Sequence, residues 1–234
     1  MKLRRILVLT SLSAAFCALA LAPALAQERL NARQVAALVQ SFYDQSTSFT
    51  ADFNQQQYTK VHDRTERANG RVVFEKPGKM RWDYAAPNGQ VFVSDGETLL
   101  VYQPPDEGER HGQLIERAIN EHQLPQAFSF LTGTGRLDRD FRFRLLNAQR
   151  EGFRNGYVLE LRPREPTPQY ERVLFFVRIV ERGEQQAGVV QRVLIIDSSG
   201  NRNRFDFRNM RFPGDIPDSR FRYRPPAGTR RVRP

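Results

Sequence analysis

Residues Gly70 to Tyr102 admit one kind of local architecture. In Lys79-Met80-Arg81-Trp82-Asp83-Tyr84 large apolar and charged side chains alternate without a break. Met80, Trp82 and Tyr84 therefore share one face of a strand, and Lys79, Arg81 and Asp83 the other. Upstream, Val72 and Phe74 continue an apolar face against Arg71 and Glu75. Pro77-Gly78 separates the two runs: proline presets φ and glycine supplies the positive φ of a type II turn. Asn88-Gly89 and Asp95-Gly96 mark two further turns. An antiparallel meander with one large-residue apolar face and one charged face is predicted. The rest of the chain has to cover that apolar face.

The ends of the chain and its charge narrow the setting. Lys2, Arg4 and Arg5 precede an apolar run from Ile6 to Leu21, and Ala24-Leu25-Ala26 forms an A-x-A cleavage pattern before Gln27. Residues 1–26 are predicted to be a signal peptide, and residues 27–234 a single exported domain. The only cysteine, Cys17, lies inside the signal. Phe16 before it is too bulky for a lipidation motif, so neither an acyl anchor nor a disulfide is predicted. The net charge is +10 with three signal cations included, and only four of the 36 basic residues are lysine. Arginines alternating with apolar residues form either a solvated sheet face or a surface drawn to anionic lipid or an acidic partner. Nucleic acid is a poor candidate for an exported chain with no recognisable module.

Along the chain, Asn31 and Gln34 have the spacing of a capping box. Val35, Leu38, Val39 and Phe42 follow at helical spacing, giving a short amphipathic helix that ends near Asp44. A strand is expected from Ser48 to about Tyr58, then a polar hairpin loop at His62-Asp63. After Tyr102 the spacing predicts short helices over 114–119 and 124–131, the second stopped by Gly133 and Gly135. Strands return at 141–145, 157–161, 172–180, 189–197 and 202–212, for roughly ten in all.

No catalytic constellation is visible. His62, His111 and His122 stand apart in polar segments, without partners at metal-ligand spacing. Ser94-Asp95-Gly96 is explained by a turn between two strands. No G-x-S-x-G or phosphate-binding glycine loop occurs. Neither an enzyme nor a cofactor is predicted. What stands out is 17 Phe, seven Tyr and one Trp, which serve either as ordinary core or as the walls of a cavity for an apolar ligand.

Taken together, several residues resemble a known family. These are Gly70, the basic residue before Pro77, Met80-Arg81-Trp82-Asp83-Tyr84, Val91-Phe92-Val93-Ser94-Asp95-Gly96 after Pro87, and Leu99-Leu100-Val101-Tyr102. Weaker matches follow in Leu124-Pro125, Phe130-Leu131-Thr132-Gly133 and the closing Phe221 to Gly228. The chain resembles the outer-membrane lipoprotein carrier proteins, LolA. The resemblance implies an incomplete, half-open antiparallel β-barrel with a helical lid on its concave face. It also implies a soluble, monomeric periplasmic carrier that binds lipoprotein acyl chains and shuttles them from the inner to the outer membrane. Its partners would be acylated lipoproteins, an inner-membrane release transporter and, if present, an outer-membrane receptor. Met80 and Phe92 match cavity positions of the family. Phe74, Trp82, Tyr84, Leu100 and Tyr102 extend that wall in this reading, and Leu38, Phe42, Phe128 and Leu131 line the lid. Where the family usually has arginine as a lid latch, this chain has Lys76, which keeps the cation but not the planar five-donor fork. A single contact to a carbonyl near Gly133 and Gly135 is expected. The lipidated receptor of the same pathway and an envelope-stress sensor domain share the fold and stand as alternatives.

Overall fold

The computed structural model describes residues 29–118, 135–183 and 185–232. Helix α1 (Ala32–Gln45) begins as its spacing predicts. The Asn31 carboxamide oxygen accepts from the Gln34 amide at 3.0 Å, and the Gln34 side chain accepts from the Asn31 amide at 2.8 Å. Twelve strands follow. They are β1 (Ser48–Thr59), β2 (Arg64–Glu75), β3 (Lys79–Tyr84), β4 (Val91–Asp95), β5 (Thr98–Gln103) and β6 (Gln113–Ala118), then β7 (Phe141–Leu146), β8 (Tyr157–Pro163), β9 (Arg172–Arg182), β10 (Gln185–Ile196), β11 (Arg202–Arg211) and β12 (Arg230–Val232). A single turn of helix, α2 (Leu137–Asp140), precedes β7.

The strands form one sheet in the order β12-β6-β5-β4-β3-β2-β1-β11-β10-β9-β8-β7. Two meanders, β1–β6 and β7–β11, are joined through the β1–β11 pair, and β12 adds to the edge in parallel with β6. The sheet does not close: β12 and β7 remain as its two edges. This is the half-open barrel.

Strand alternation sorts the side chains. On the inner face Phe49, Ala51 and Phe53 of β1 meet Val72 and Phe74 of β2, Trp82 of β3, Leu159 and Leu161 of β8, Phe175 of β9 and Phe205 and Phe207 of β11. Helix α1 lies against β10, β7 and β8 and adds Val35, Ala36, Val39, Phe42 and Tyr43 to this core. At Gly188 of β10 an added Cβ would stand 2.8 Å from the Val39 amide nitrogen, so the bare backbone lets the helix settle onto the strand. At Gly70 the Phe53 ring occupies the space a side chain would take, 2.9 Å from the Cβ position.

The outer face is charged, with two small apolar clusters. Residues 213–223 cross it over β3 and β4. They bury Phe221 against Val73 and Val93, and Lys79 pairs with Asp218 at 2.6 Å. On β8, Glu160 is 1% exposed beneath Arg144, Arg162 and Arg172.

Three expectations change. The run from Leu114 is strand β6, not helix: Leu114 pairs with Tyr102 and Ile115 with Val101, so β5 recruits it as a neighbour. The run from Phe221 to Gly228, expected as the closing strand, leaves a 3-10 turn (Asp218–Phe221) without forming one, and the last described strand comes later, at Arg230–Val232. Among the described residues the strands number twelve rather than about ten. The helix expected over 124–131 lies outside the described residues.

Candidate functional site

The inner face of β1–β4 and β11 is a floor of aromatic rings. Trp82 stands at its centre, 8% exposed. Its ring centroid is 5.0 Å from Phe53, 5.7 Å from Phe74, 5.4 Å from Phe205 and 6.5 Å from Phe207, the three nearest edge-on. Edge-on packing suits the ring quadrupoles, and each such pair contributes about 0.5–1.5 kcal/mol beyond burial. The floor continues from Phe53 to Tyr84 at 5.0 Å and from Tyr84 to Phe92 at 5.8 Å. At its other end Phe49 meets Phe207 and Phe212, and Phe212 meets Phe42 of α1 at 4.7 Å. Burial pushes the Tyr84 phenol up to about 12. This geometry suits an unbranched apolar ligand, which a row of ring edges can contact along its length.

Phe74, Met80, Trp82, Tyr84 and Phe92 all lie on this floor, and Phe42 closes its end. Leu100 and Tyr102 do not. Leu100 pairs with Val93 and Tyr102 with Val91, both of which belong to the outer face, and the Tyr102 ring contacts Tyr223 there at 5.6 Å. Leu99 and Val101 are the inward residues of β5. Leu38 sits half-buried on the flank of α1, whose buried stripe runs through Val35, Val39 and Phe42. Phe128 and Leu131 lie outside the described residues. Phe205 and Phe207 join the same inner face, and their alternation with Arg204, Asp206 and Arg208 carries the signal in the sequence.

Lys76 does reach a carbonyl, but on a different element from the one expected. Its ammonium donates to the Tyr43 carbonyl oxygen in the last turn of α1; Gly133 lies outside the described residues. That turn has no basic residue of its own, so Lys76 supplies the cation favoured at a helix C-terminus. Desolvation pulls the Lys76 pKa below the usual lysine value, and nearby Asp44 opposes the shift. Two more bonds hold the helix. The Val190 amide donates to the buried Tyr43 hydroxyl at 3.3 Å, and the Leu137 amide donates to the buried Gln40 carboxamide oxygen at 2.8 Å. Gln40 in turn donates to Asp44 at 2.8 Å.

His62 and His111 are exposed, and His122 lies outside the described residues. Among the described residues no group of three or more His, Cys, Asp and Glu is placed to hold a metal ion, and no helix is long and apolar enough to cross a membrane.

The family described as outer membrane lipoprotein carrier protein LolA matches residues 44–224. An outer-membrane lipoprotein carrier protein of Bordetella avium is 30% identical over 94% of this chain and 95% of its own length. One from Chromobacterium violaceum is 27% identical over 82% of this chain and 84% of its own. A crystal structure of a LolA superfamily protein from Nitrosomonas europaea superimposes with a TM-score of 0.45 at 16% identity, covering 83% of this chain and 99% of that one.

Proposed function

Because the chain belongs to the LolA family of outer-membrane lipoprotein carrier proteins, we propose that its aromatic floor receives the acyl chains of lipoproteins and shields them from water during transfer from the inner to the outer membrane. In this reading residues 1–26 direct export to the periplasm and are removed. The cargo is handed over by an inner-membrane release transporter and given up to an outer-membrane receptor or to the membrane itself. The protein acts by binding, without chemistry on its cargo.

The observation that carries the proposal is the unbroken run of rings from Phe92 through Trp82 to Phe49 on the inner face of an open sheet. Full burial of one chain of about 15 methylenes is worth about 12 kcal/mol at ~0.8 per methylene. A carrier that kept all of this for each chain would not release its load. Here Phe49, Phe53, Phe74 and Trp82 are already buried without cargo, and Tyr84 and Phe92 are partly buried, so an entering chain replaces contacts the protein makes with itself. Only the difference between the two sets of contacts is left to hold it.

Trp82 is the sole tryptophan, so its fluorescence reports on the floor alone. A synthetic diacylated peptide carrying bromine on its chains should quench Trp82 on binding, while the unacylated peptide should not. Trp82→Glu should weaken acyl binding more than it lowers folding stability. Equal quenching by both peptides, or a Trp82→Glu protein that simply unfolds, would make the floor an ordinary core.

A further inference from the structure

The outer face of β2, β1, β11 and β10 carries a groove of about 940 Å³. Four guanidinium groups line it, those of Arg67, Arg192, Arg204 and Arg208, against one carboxylate, Asp206. Asp206 is saturated: Arg204 reaches both of its oxygens at 2.6 and 3.0 Å, and Arg192 donates to one of them while stacking 4.7 Å over Phe176. Arg67 and Arg208 are exposed. Among the described residues neither side chain has a hydrogen-bond or ion-pair partner. Asp52, across from Arg208 in the register, is already engaged by Asn209 at 2.8 Å and Arg71 at 3.4 Å. The groove therefore holds a surplus of three positive charges that the fold does not neutralise.

We propose that this groove docks the carrier reversibly on an anionic phospholipid surface, with Arg67 and Arg208 receiving headgroup phosphates. This goes beyond cargo carriage, which uses the opposite face of the sheet. Two features favour lipid phosphate over an acidic protein. Specific protein interfaces centre on buried apolar anchors. Here the exposed large apolar residues among those described are Val61 and Val232, and neither lines the groove. Phe153, which does line it, is spent on Phe176 at 5.5 Å. A planar guanidinium with free N–H groups is suited to bidentate contact with phosphate. Such contact needs charge and fork geometry but no apolar centre. The attachment is electrostatic, so salt reverses it and leaves the carrier free to cross the periplasm.

The test is sedimentation of cargo-free protein with vesicles. Each cation near an anionic surface contributes about fivefold in partitioning. The parent should bind vesicles with about a third anionic phospholipid, ignore zwitterionic ones, and be released by roughly 0.5 M salt. Arg67→Gln with Arg208→Gln should lower partitioning about 25-fold, the product of two such factors. The lysine pair Arg67→Lys with Arg208→Lys keeps the charge but not the fork, and should recover only part of it. Arg33→Gln with Arg110→Gln removes the same charge from exposed positions elsewhere and should change little. Equal binding to both vesicle types overturns the proposal, and so does an equal loss in the two glutamine pairs. Retention on an immobilised acidic peptide without retention on anionic vesicles assigns the groove to a protein and also overturns it.

Discussion

Replacing Gly188 by alanine tests whether α1 is a seated cover. The added methyl would stand 2.8 Å from Val39 N, 2.9 Å from Val39 Cγ2 and 3.1 Å from the Leu38 carbonyl carbon. Two of these atoms are helix backbone, so no rotamer change relieves the clash and α1 has to shift as a body. Overpacking of this kind costs about 1–3 kcal/mol. Gly→Ala offsets part of that, about 0.4–1 kcal/mol, by stiffening the unfolded chain. Wholesale loss of the helix is the worse alternative. Val35, Val39, Phe42 and Tyr43 are all buried, and burial of a Val or Phe side chain alone is worth about 1.5–3 kcal/mol. The protein should therefore stay folded with α1 docked more loosely, at a net loss of about 1–2 kcal/mol, which is a rise of roughly 5–30-fold in the undocked population. Amide hydrogen exchange in residues 35–45 should accelerate by that factor, while exchange in β1 and β2 holds. Apolar dye uptake by the cargo-free protein should rise in parallel. Unchanged or slower exchange in α1 would show that Gly188 does not set the seat.

Three other perturbations have worked signs. Gln40→Met keeps the size of the side chain but removes the acceptor for the buried Leu137 amide, so urea denaturation should show a loss of about 1–3 kcal/mol; unchanged stability would mean that this bond does not tie α2 to α1. Lys76 titrates below its unfolded value of 10.5 when folded, so in the window between the two the unfolded chain binds more protons. The stability of the parent relative to Lys76→Met should therefore climb as pH rises toward 10.5, and a fall over that range would contradict desolvation as the cause. Burial pushes the Glu160 carboxyl up, but hydrogen bonds from Arg144 and Arg172 and the charges of Arg144 and Arg162 outweigh it and hold the group below 4.5. Glu160→Gln should cost about 1–3 kcal/mol at neutral pH, and the gap between parent and variant should close as pH falls from 4.5 through the depressed folded value; a gap that persists in acid would refute the charge assignment.

Where polar and apolar residues alternate, the sequence names the face, as Met80, Trp82 and Tyr84 show. The same signal was present at Phe205 and Phe207. In Leu99-Leu100-Val101-Tyr102 no polar residue marks the outside, and the register across the Asp95-Gly96 turn alone turns Leu99 and Val101 inward. At Leu114 a short apolar pair reads equally as helix or strand, and its partner Tyr102 decides. The contact of Lys76 depends on where α1 ends relative to a turn 33 residues further along the chain, a tertiary fact with no local trace.

The seat of α1 was the least legible part, because it is made of irregularities. Gly188 in a strand reads as a weak point; only the helix above it explains the missing side chain. Two residues on, the β10–β9 register shifts between Val190 and Arg192. A bulge frees ladder groups from their usual partners, and here the Val190 amide turns to the Tyr43 hydroxyl. One residue of β10 thus removes bulk beneath the helix, and the next irregularity supplies a donor to its last turn. Lys76 meets that same turn from just past the end of β2. Three contacts from two places far apart in sequence, β10 and the turn after β2, converge on Val39 and Tyr43, so α1 is held firmly against the sheet. A ligand that reaches the rings of β1–β4 has to do so without lifting it.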